Sequence, residues 1–162
     1  MRSLLCIAAL ALCAALVPYG AKAAAGGNPC ALLSLGEAEA VTHFSLTSAD
    51  PNPLRADGGA DKDTTCTYNN EQTGQGVSVM LHDDSAFFPG NSKSPNTEGF
   101  KPLKGVGDRA WTNGLAMAAA VYVLRHGRYV SIMVTDPNGL KDRGAHNYAS
   151  ALAVAKAVAK RM

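Results

Sequence analysis

The stretch MAAAVYVLRHGRYVSIMVT, residues 117–135, carries the strongest structural signal in the sequence. Aliphatic side chains alternate with other types on both sides of His126-Gly127, which is the pattern of two strands joined by a two-residue turn. Glycine in the second position suits the tight turns that hairpins prefer. The turn places Val123 opposite Val130, so this aliphatic face of the hairpin should lie in the core.

Strand patterning also occurs upstream of this hairpin. Residues 64–69 and 77–81 alternate apolar and polar side chains around a Gly-Gln-Gly turn, and they should form a second hairpin. Residues 109–112 should form a strand that turns at Asn113-Gly114. Residues 48–63 hold two prolines, two glycines and four aspartates, a composition typical of a loop.

Helices are predicted on both sides of the strands. Ser34 and Glu37 have capping-box spacing at the start of an apolar periodicity that ends near residues 43–45. Residues 142–161 have a second helical pattern. Its expected buried stripe is Tyr148, Leu152, Ala155 and Ala159. The order predicts an α+β fold, with an antiparallel meander of about five strands and both helices packed on one face.

The first 23 residues have the composition of a secretory signal peptide. Arg2 precedes an uncharged apolar stretch, residues 4–17, and the small-x-small pattern Ala-Lys-Ala at 21–23 predicts cleavage after that site. The apolar stretch is shorter than the roughly 20 residues of a membrane-spanning helix, which disfavours a retained anchor. A lipoprotein signal has a small residue before its cysteine, but Leu5 and Leu12 stand there instead.

The remaining chain, residues 24–162, is expected to be one domain and a monomer without net charge. Arg2 and Lys22 leave with the signal peptide, so 13 of the 15 basic residues remain against 13 acidic ones. This balance disfavours nucleic-acid binding and attraction to a membrane surface. Cys30 and Cys66 remain in an oxidising compartment, periplasmic or extracellular, and we expect a disulfide between them. Their spacing fits neither a zinc site nor a redox motif, and no metal or cofactor is predicted.

The stretch GVGDRAW, residues 105–111, is not expected to bind a phosphate. A Walker loop needs Lys followed by Ser or Thr after its last glycine, and a dinucleotide fingerprint needs a third glycine. Asp-Arg-Ala follows the second glycine instead. We expect Gly105 and Gly107 to permit a tight entry into a strand that Trp111 anchors.

The long segment 84–104 is the first candidate binding site. It contains three of the four phenylalanines of the chain, Phe87, Phe88 and Phe100. Aromatic side chains surrounded by polar ones are typical of protein-recognition hot spots. Tyr122 and Tyr129 lie on the outer face of the central hairpin and extend the candidate surface. The alternative is that the phenylalanines fold back and cover the core.

Two other functions stay open. His82 with Asp84 indicates a small hydrolase or lyase, because an acid that orients a histidine can make it a base. The serines nearby carry no GxSxG motif, so no catalytic nucleophile is predicted. The third reading is a carrier that holds a small apolar ligand between the sheet and a helix.

Several motifs together resemble a loose group of small exported bacterial domains of unknown function. The likeness rests on PCALLSLGEAEAV at 29–41, CTY at 66–68, GVGDRAW, VYVLRHGRYVSIMV at 121–134 and the alanine-rich last helix. Many members are lipoproteins, whereas this chain lacks a cysteine placed for lipidation. The resemblance implies an extracytoplasmic binding or sensor-like role and supplies no catalytic residues. The first hypothesis is a protein-binding module, inhibitor-like or immunity-like, whose partner is another extracytoplasmic protein.

Overall fold

The computed structural model describes residues 27–53, 64–91, 99–115, 117–142 and 144–162. Within these ranges the chain forms one antiparallel sheet of seven strands and two α-helices, which is an α+β fold, as the sequence predicts. The strands are β1 Ser48–Pro53, β2 Thr64–Asn70, β3 Gln75–His82, β4 Lys101–Leu103, β5 Arg109–Leu115, β6 Ala118–Arg125 and β7 Arg128–Thr135. The helices are α1 Leu35–Thr42 and α2 Ala145–Ala159. The predicted signal peptide, residues 1–23, lies outside the described residues.

The central hairpin has the predicted register. Val123 pairs with Val130 across β6 and β7, and both side chains are fully buried. His126 and Gly127 form the turn with φ values of 50° and 76°, the left-handed conformation that tight hairpin turns require. The backbone N–H of His126 donates to the Asp108 carboxylate at 2.7 Å. The acid of the GVGD stretch therefore supports the turn.

The sheet order is β1-β2-β3-β7-β6-β5-β4. It consists of two meanders, β1 to β3 and β4 to β7, joined where β3 pairs with β7. The predicted single meander of about five strands is therefore wrong in strand number and in order. The turn predicted at Asn113-Gly114 is also wrong, because β5 continues to Leu115.

Both strands that the sequence analysis missed lie at the edges of the sheet. Residues 48–53, predicted as loop, form β1, which pairs only with β2 and contains two prolines. The three-residue β4 at the opposite edge contains Pro102. Proline is tolerated in an edge strand because its missing N–H can face away from the neighbouring strand. The same residues make each edge a poor template for a further strand.

Gly107 of the GVGD stretch lies close against the neighbouring strand. Gly105 and Gly107 have φ values of 75° and 59°. A Cβ at Gly107 would lie 2.7 Å from a Val123 methyl group and 2.8 Å from the Leu124 carbonyl oxygen. Asp108 then continues the backbone pairing, since its N–H donates to the Leu124 oxygen at 2.9 Å. The close packing explains why glycine is needed at 107.

The first helix begins at the predicted capping box. The Ser34 N–H donates to the Glu37 carboxylate at 2.9 Å, and the Glu37 N–H donates back to the Ser34 hydroxyl. The helix ends at His43, whose φ is 60°. Arg161 from the chain end donates two hydrogen bonds to the same carboxylate. Hydrogen bonds from Ser34 first, and Arg161 after them, lower the pKa of Glu37 to about 2.

The predicted disulfide is confirmed. Cys30 lies in the 3-10 turn Pro29–Ala31 and is bonded to Cys66 in β2, with the two Cα atoms 5.1 Å apart. This separation lies within the range that disulfides normally span. The buried Tyr68 side chain, two residues along β2, donates its hydroxyl to the Leu33 carbonyl oxygen. The two links fix the segment before α1 to the sheet.

The second helix packs on β6 and β7 on the same side of the sheet as α1. Its buried stripe includes Asn147, Ala151, Val154 and Val158. Tyr148, which was expected on the buried stripe, is exposed by 39%. Ala155 and Ala159 are buried as predicted and Leu152 is partly buried, so the predicted stripe is wrong at Tyr148 alone. The two valines occupy the buried face instead, and the tyrosine lies at its margin. Among the described residues, no helix has the length and apolar character needed to cross a membrane.

Candidate binding surfaces

The long connection between β3 and β4 owes its length to the sheet order. Four strand spacings separate β3 from β4, a distance of about 19 Å. The chain therefore has to pass over β7, β6 and β5. Its first part, residues 83–91, packs on the sheet face opposite the helices, against Tyr129 and Trp111. We call residues 83–91 the strap and this side of the sheet the outer face.

Hydrogen bonds fix the strap at both ends. The Asp84 carboxylate accepts from the Ala86 N–H at 2.7 Å and begins the 3-10 turn Ser85–Phe87. The Asn91 side chain donates to the Ser85 carbonyl oxygen at 2.7 Å and accepts from Arg109 at 2.8 Å. The strap is therefore tied to β5 as well as to itself.

Phe88 is the buried contact of the strap. Its side chain is fully buried, and its ring meets Tyr129 edge-on, with centroids 5.4 Å apart. The Arg109 guanidinium lies 5.2 Å from the centre of the Phe88 ring. His82 stacks on Tyr129 at 4.0 Å, and Tyr129 is only 5% exposed. Phe88 and Tyr129 therefore cover each other, and neither of these two predicted binding residues is exposed in the structure.

The other three predicted binding residues keep some exposure. Phe87 is 50% exposed, although its neighbour Phe88 is buried. Phe100 and Tyr122 are half-buried and pack against each other, with ring centroids 5.1 Å apart. Burial raises the pKa of Tyr122. The structure thus divides the predicted set into a strap group with one exposed ring and a separate pair of rings on the outer face.

His82 contacts a residue that the sequence analysis did not predict. Its Nε2 atom lies 2.8 Å from the Ser131 hydroxyl oxygen. The carboxylate of the predicted acid, Asp84, accepts a hydrogen bond from the strap backbone. Ser131 is on β7, directly opposite Met80. The pairing of β3 with β7 brings His82 and Ser131 together. Sequence distance gives no hint of it, since 49 residues separate them.

A second surface lies at the opposite end of the sheet from the His126-Gly127 turn. A cavity of about 510 Å³ opens between the β4–β5 edge and the start of α2. We call it the Tyr148 cavity. Its lining residues are Gly99, Lys101, Pro102, Leu103, Thr112, Asn113, Gly114 and Tyr148. The sequence analysis missed this site because it expected Tyr148 to be buried and did not predict β4.

Exposed apolar side chains lie at the same end of the sheet. Met117 is 52% exposed and Leu140 is 61% exposed. The Asp136 N–H donates to the Met117 carbonyl oxygen at 3.2 Å, which places the β5–β6 turn beside the 3-10 turn Pro137–Asp142. The strap and the Tyr148 cavity are two distinct surfaces, because none of the residues that line the cavity belongs to the strap.

Within the described ranges, no three His, Cys, Asp or Glu side chains are grouped so that they could hold a metal ion.

Comparison of the chain with protein-family models, with curated proteins and with solved structures finds no match.

Proposed function

We propose that the protein is an exported binding protein that recognises another extracytoplasmic protein through the strap, with Phe87 as the central contact. One observation carries the proposal: Phe87 is half exposed while the strap on both sides of it is fixed in place. A loop that folded only to cover the core would gain more by burying both phenylalanines.

A fixed, exposed aromatic ring is well suited to recognition. Binding costs free energy wherever flexible side chains and loops become ordered. The Asp84 cap and the buried Phe88 ring already order the strap, so a partner that covers Phe87 would pay less of this cost. Large aromatic side chains also dominate the binding energy of many interfaces.

The surroundings of Phe87 match the anatomy of a protein interface. Asp83 and Asp84 of the strap, and Arg109 beside it, are exposed polar residues. A polar rim around an apolar contact favours correct orientation and excludes water from the centre. The partner is expected to offer an apolar pocket with polar groups at its edge. The Cys30–Cys66 disulfide supports the export that this proposal requires.

The test compares Phe87→Ala with Leu140→Ala as a matched control. Both positions are exposed and apolar, but they lie on different surfaces. Immobilised wild-type protein would capture the partner from an extracytoplasmic extract, and Kd would then be measured with the purified partner. Loss of the Phe87 ring should weaken binding by about 30-fold, the scale of a hot-spot residue, whereas Leu140→Ala should not change it. Equal Kd values for wild type and Phe87→Ala would contradict the proposal.

Hydrolysis is the second candidate function, favoured by the contact between His82 and Ser131. A hydroxyl 2.8 Å from an imidazole nitrogen has the geometry of a nucleophile and its general base. A serine-reactive fluorophosphonate should then label Ser131, and His82→Ala should abolish the labelling. An excess of the reagent that leaves Ser131 unmodified in the folded protein would remove this candidate.

A further inference from the structure

The geometry points to a second binding site, separate from the strap: we infer that the Tyr148 cavity binds a small organic anion with a compact apolar body. Its volume of about 510 Å³ lies within the range of roughly 300–1,000 Å³ that is usual for ligand pockets. The site does not depend on the proposed function, because none of its lining residues belongs to the strap.

The cavity exists because the helix layer is narrower than the sheet. The second helix packs on β6 and β7, while β5 and β4 extend further towards the edge. Leu103 and the exposed Tyr148 ring supply apolar walls. An apolar body placed between them would be removed from water on two sides, which is the main source of affinity in such pockets.

A single positive charge defines the polar part of the cavity. Lys101 is the one charged residue among the described lining residues. It is opposite Thr112 in the β4–β5 pair, so its side chain is on the helix side of the sheet. Among the described residues, it has no hydrogen bond or ion pair. A lysine with no carboxylate beside it among the described lining residues favours a negatively charged ligand over a neutral or cationic one.

Two further features favour a small molecule over a peptide strand. The edge strand β4 is only three residues long and has proline at its centre. Proline offers no N–H to an added strand, so strand addition would leave the incoming backbone poorly paired. Thr112 and Asn113 are polar lining residues, and the Thr112 hydroxyl is held in place because it donates to the Ala120 carbonyl oxygen at 2.9 Å.

The test uses two fluorescent probes that differ in one group. 8-Anilinonaphthalene-1-sulfonate carries a sulfonate, and N-phenyl-1-naphthylamine has the same aromatic body without a charge. The oxidised, folded protein should bind one equivalent of the sulfonate probe, and it should bind the neutral probe several-fold more weakly. Preference for the neutral probe would overturn the assignment of an anion.

Lys101→Gln and Lys141→Gln form a matched pair, because both remove an exposed lysine and only Lys101 lines the cavity. Lys101→Gln should weaken binding of the sulfonate probe about five-fold, the upper range for an exposed charge pair. Its affinity for the neutral probe should not change. Lys141→Gln should change neither affinity. Equal effects of the two variants would indicate attraction to overall charge and would overturn the site.

Filling the cavity gives an independent readout. Among the described residues, a Cβ at Gly114 would have only the Ala118 carbonyl oxygen within 4.0 Å, so a leucine side chain at this cavity-lining position has space. The Gly114→Leu variant should bind neither probe. Tyr148→Ala serves in its place if Gly114→Leu does not fold. Unchanged probe binding in these variants would overturn the site. Phe87→Ala should bind both probes normally, which separates failure here from failure of the proposed function.

Discussion

Adjacent phenylalanines in the strap should have very different effects on stability. Phe88 is fully buried, whereas Phe87 is half exposed. Truncation of a buried phenylalanine to alanine costs about 3–5 kcal/mol, and the lower end applies here because the strap lies at the surface and can collapse. We therefore expect Phe88→Ala to lower the free energy of unfolding by about 3 kcal/mol. Phe87→Ala should lower the free energy of unfolding by about 1 kcal/mol, since only half of the Phe87 ring leaves water on folding.

Part of the loss at Phe88 is specific to its two partners. The edge-on contact with Tyr129 should contribute about 1 kcal/mol, and the Arg109 guanidinium about 0.5–1 kcal/mol. A double-mutant cycle of Phe88→Ala with Tyr129→Ala isolates the first of these energies.

Equilibrium unfolding in urea, followed by tryptophan fluorescence, measures these losses. Trp111 is the only tryptophan of the chain, and a Cβ at Gly90 of the strap would lie 3.2 Å from its indole ring. The emission of Trp111 therefore reports on the strap as well as on the sheet. Phe88→Ala should also lower Tm by about 10 °C. Similar losses for Phe87→Ala and Phe88→Ala would refute the described packing of the strap.

Three further predictions concern the scaffold. Replacement of both Cys30 and Cys66 by alanine should cost about 4 kcal/mol in urea unfolding, from the loss of a 36-residue loop constraint, and a loss below about 1 kcal/mol would contradict it. Glu37 has its pKa lowered to about 2 in the folded protein, so its stabilising effect is complete above its ordinary pKa near 4.5 and is lost as the pH falls towards 2. The Tm of wild type should exceed that of Glu37→Gln at pH 6, and the two Tm values should converge near pH 2. A Tm difference that does not depend on pH would contradict the lowered pKa of Glu37. Gly107→Ala should be less stable than Gly105→Ala by about 2 kcal/mol in urea unfolding, because only the former meets packed atoms, and equal stability would contradict this packing.

The central hairpin could be predicted because its signal is local. Alternation of period two and a two-residue turn fix its register without reference to the rest of the chain. The β1 and β4 strands give no such signal, because proline-containing segments become strands only by pairing with β2 and β5. In α2, the many alanines fit the buried face and the exposed face equally well. Only a few large side chains therefore indicate which face of the helix is buried.

The candidate sites were less predictable than the fold class because they depend on sheet order. The sequence identified Phe87 as a candidate, but the burial of Phe88 follows from a strap that crosses the outer face on its way to β4. The contact of His82 with Ser131 and the Tyr148 cavity also require the pairing of distant strands. Local patterns carry no information about which strands are neighbours across such distances.

Photocrosslinking in the cells that produce the protein tests the central claim most directly. A benzophenone side chain would replace Phe87 in one variant and Leu140 in a control, so that both positions expose the same reactive group. Irradiation should join the protein to one partner from position 87 and not from position 140. No adduct at position 87, or the same adducts from both positions, would contradict the claim that the strap presents Phe87 to a protein partner.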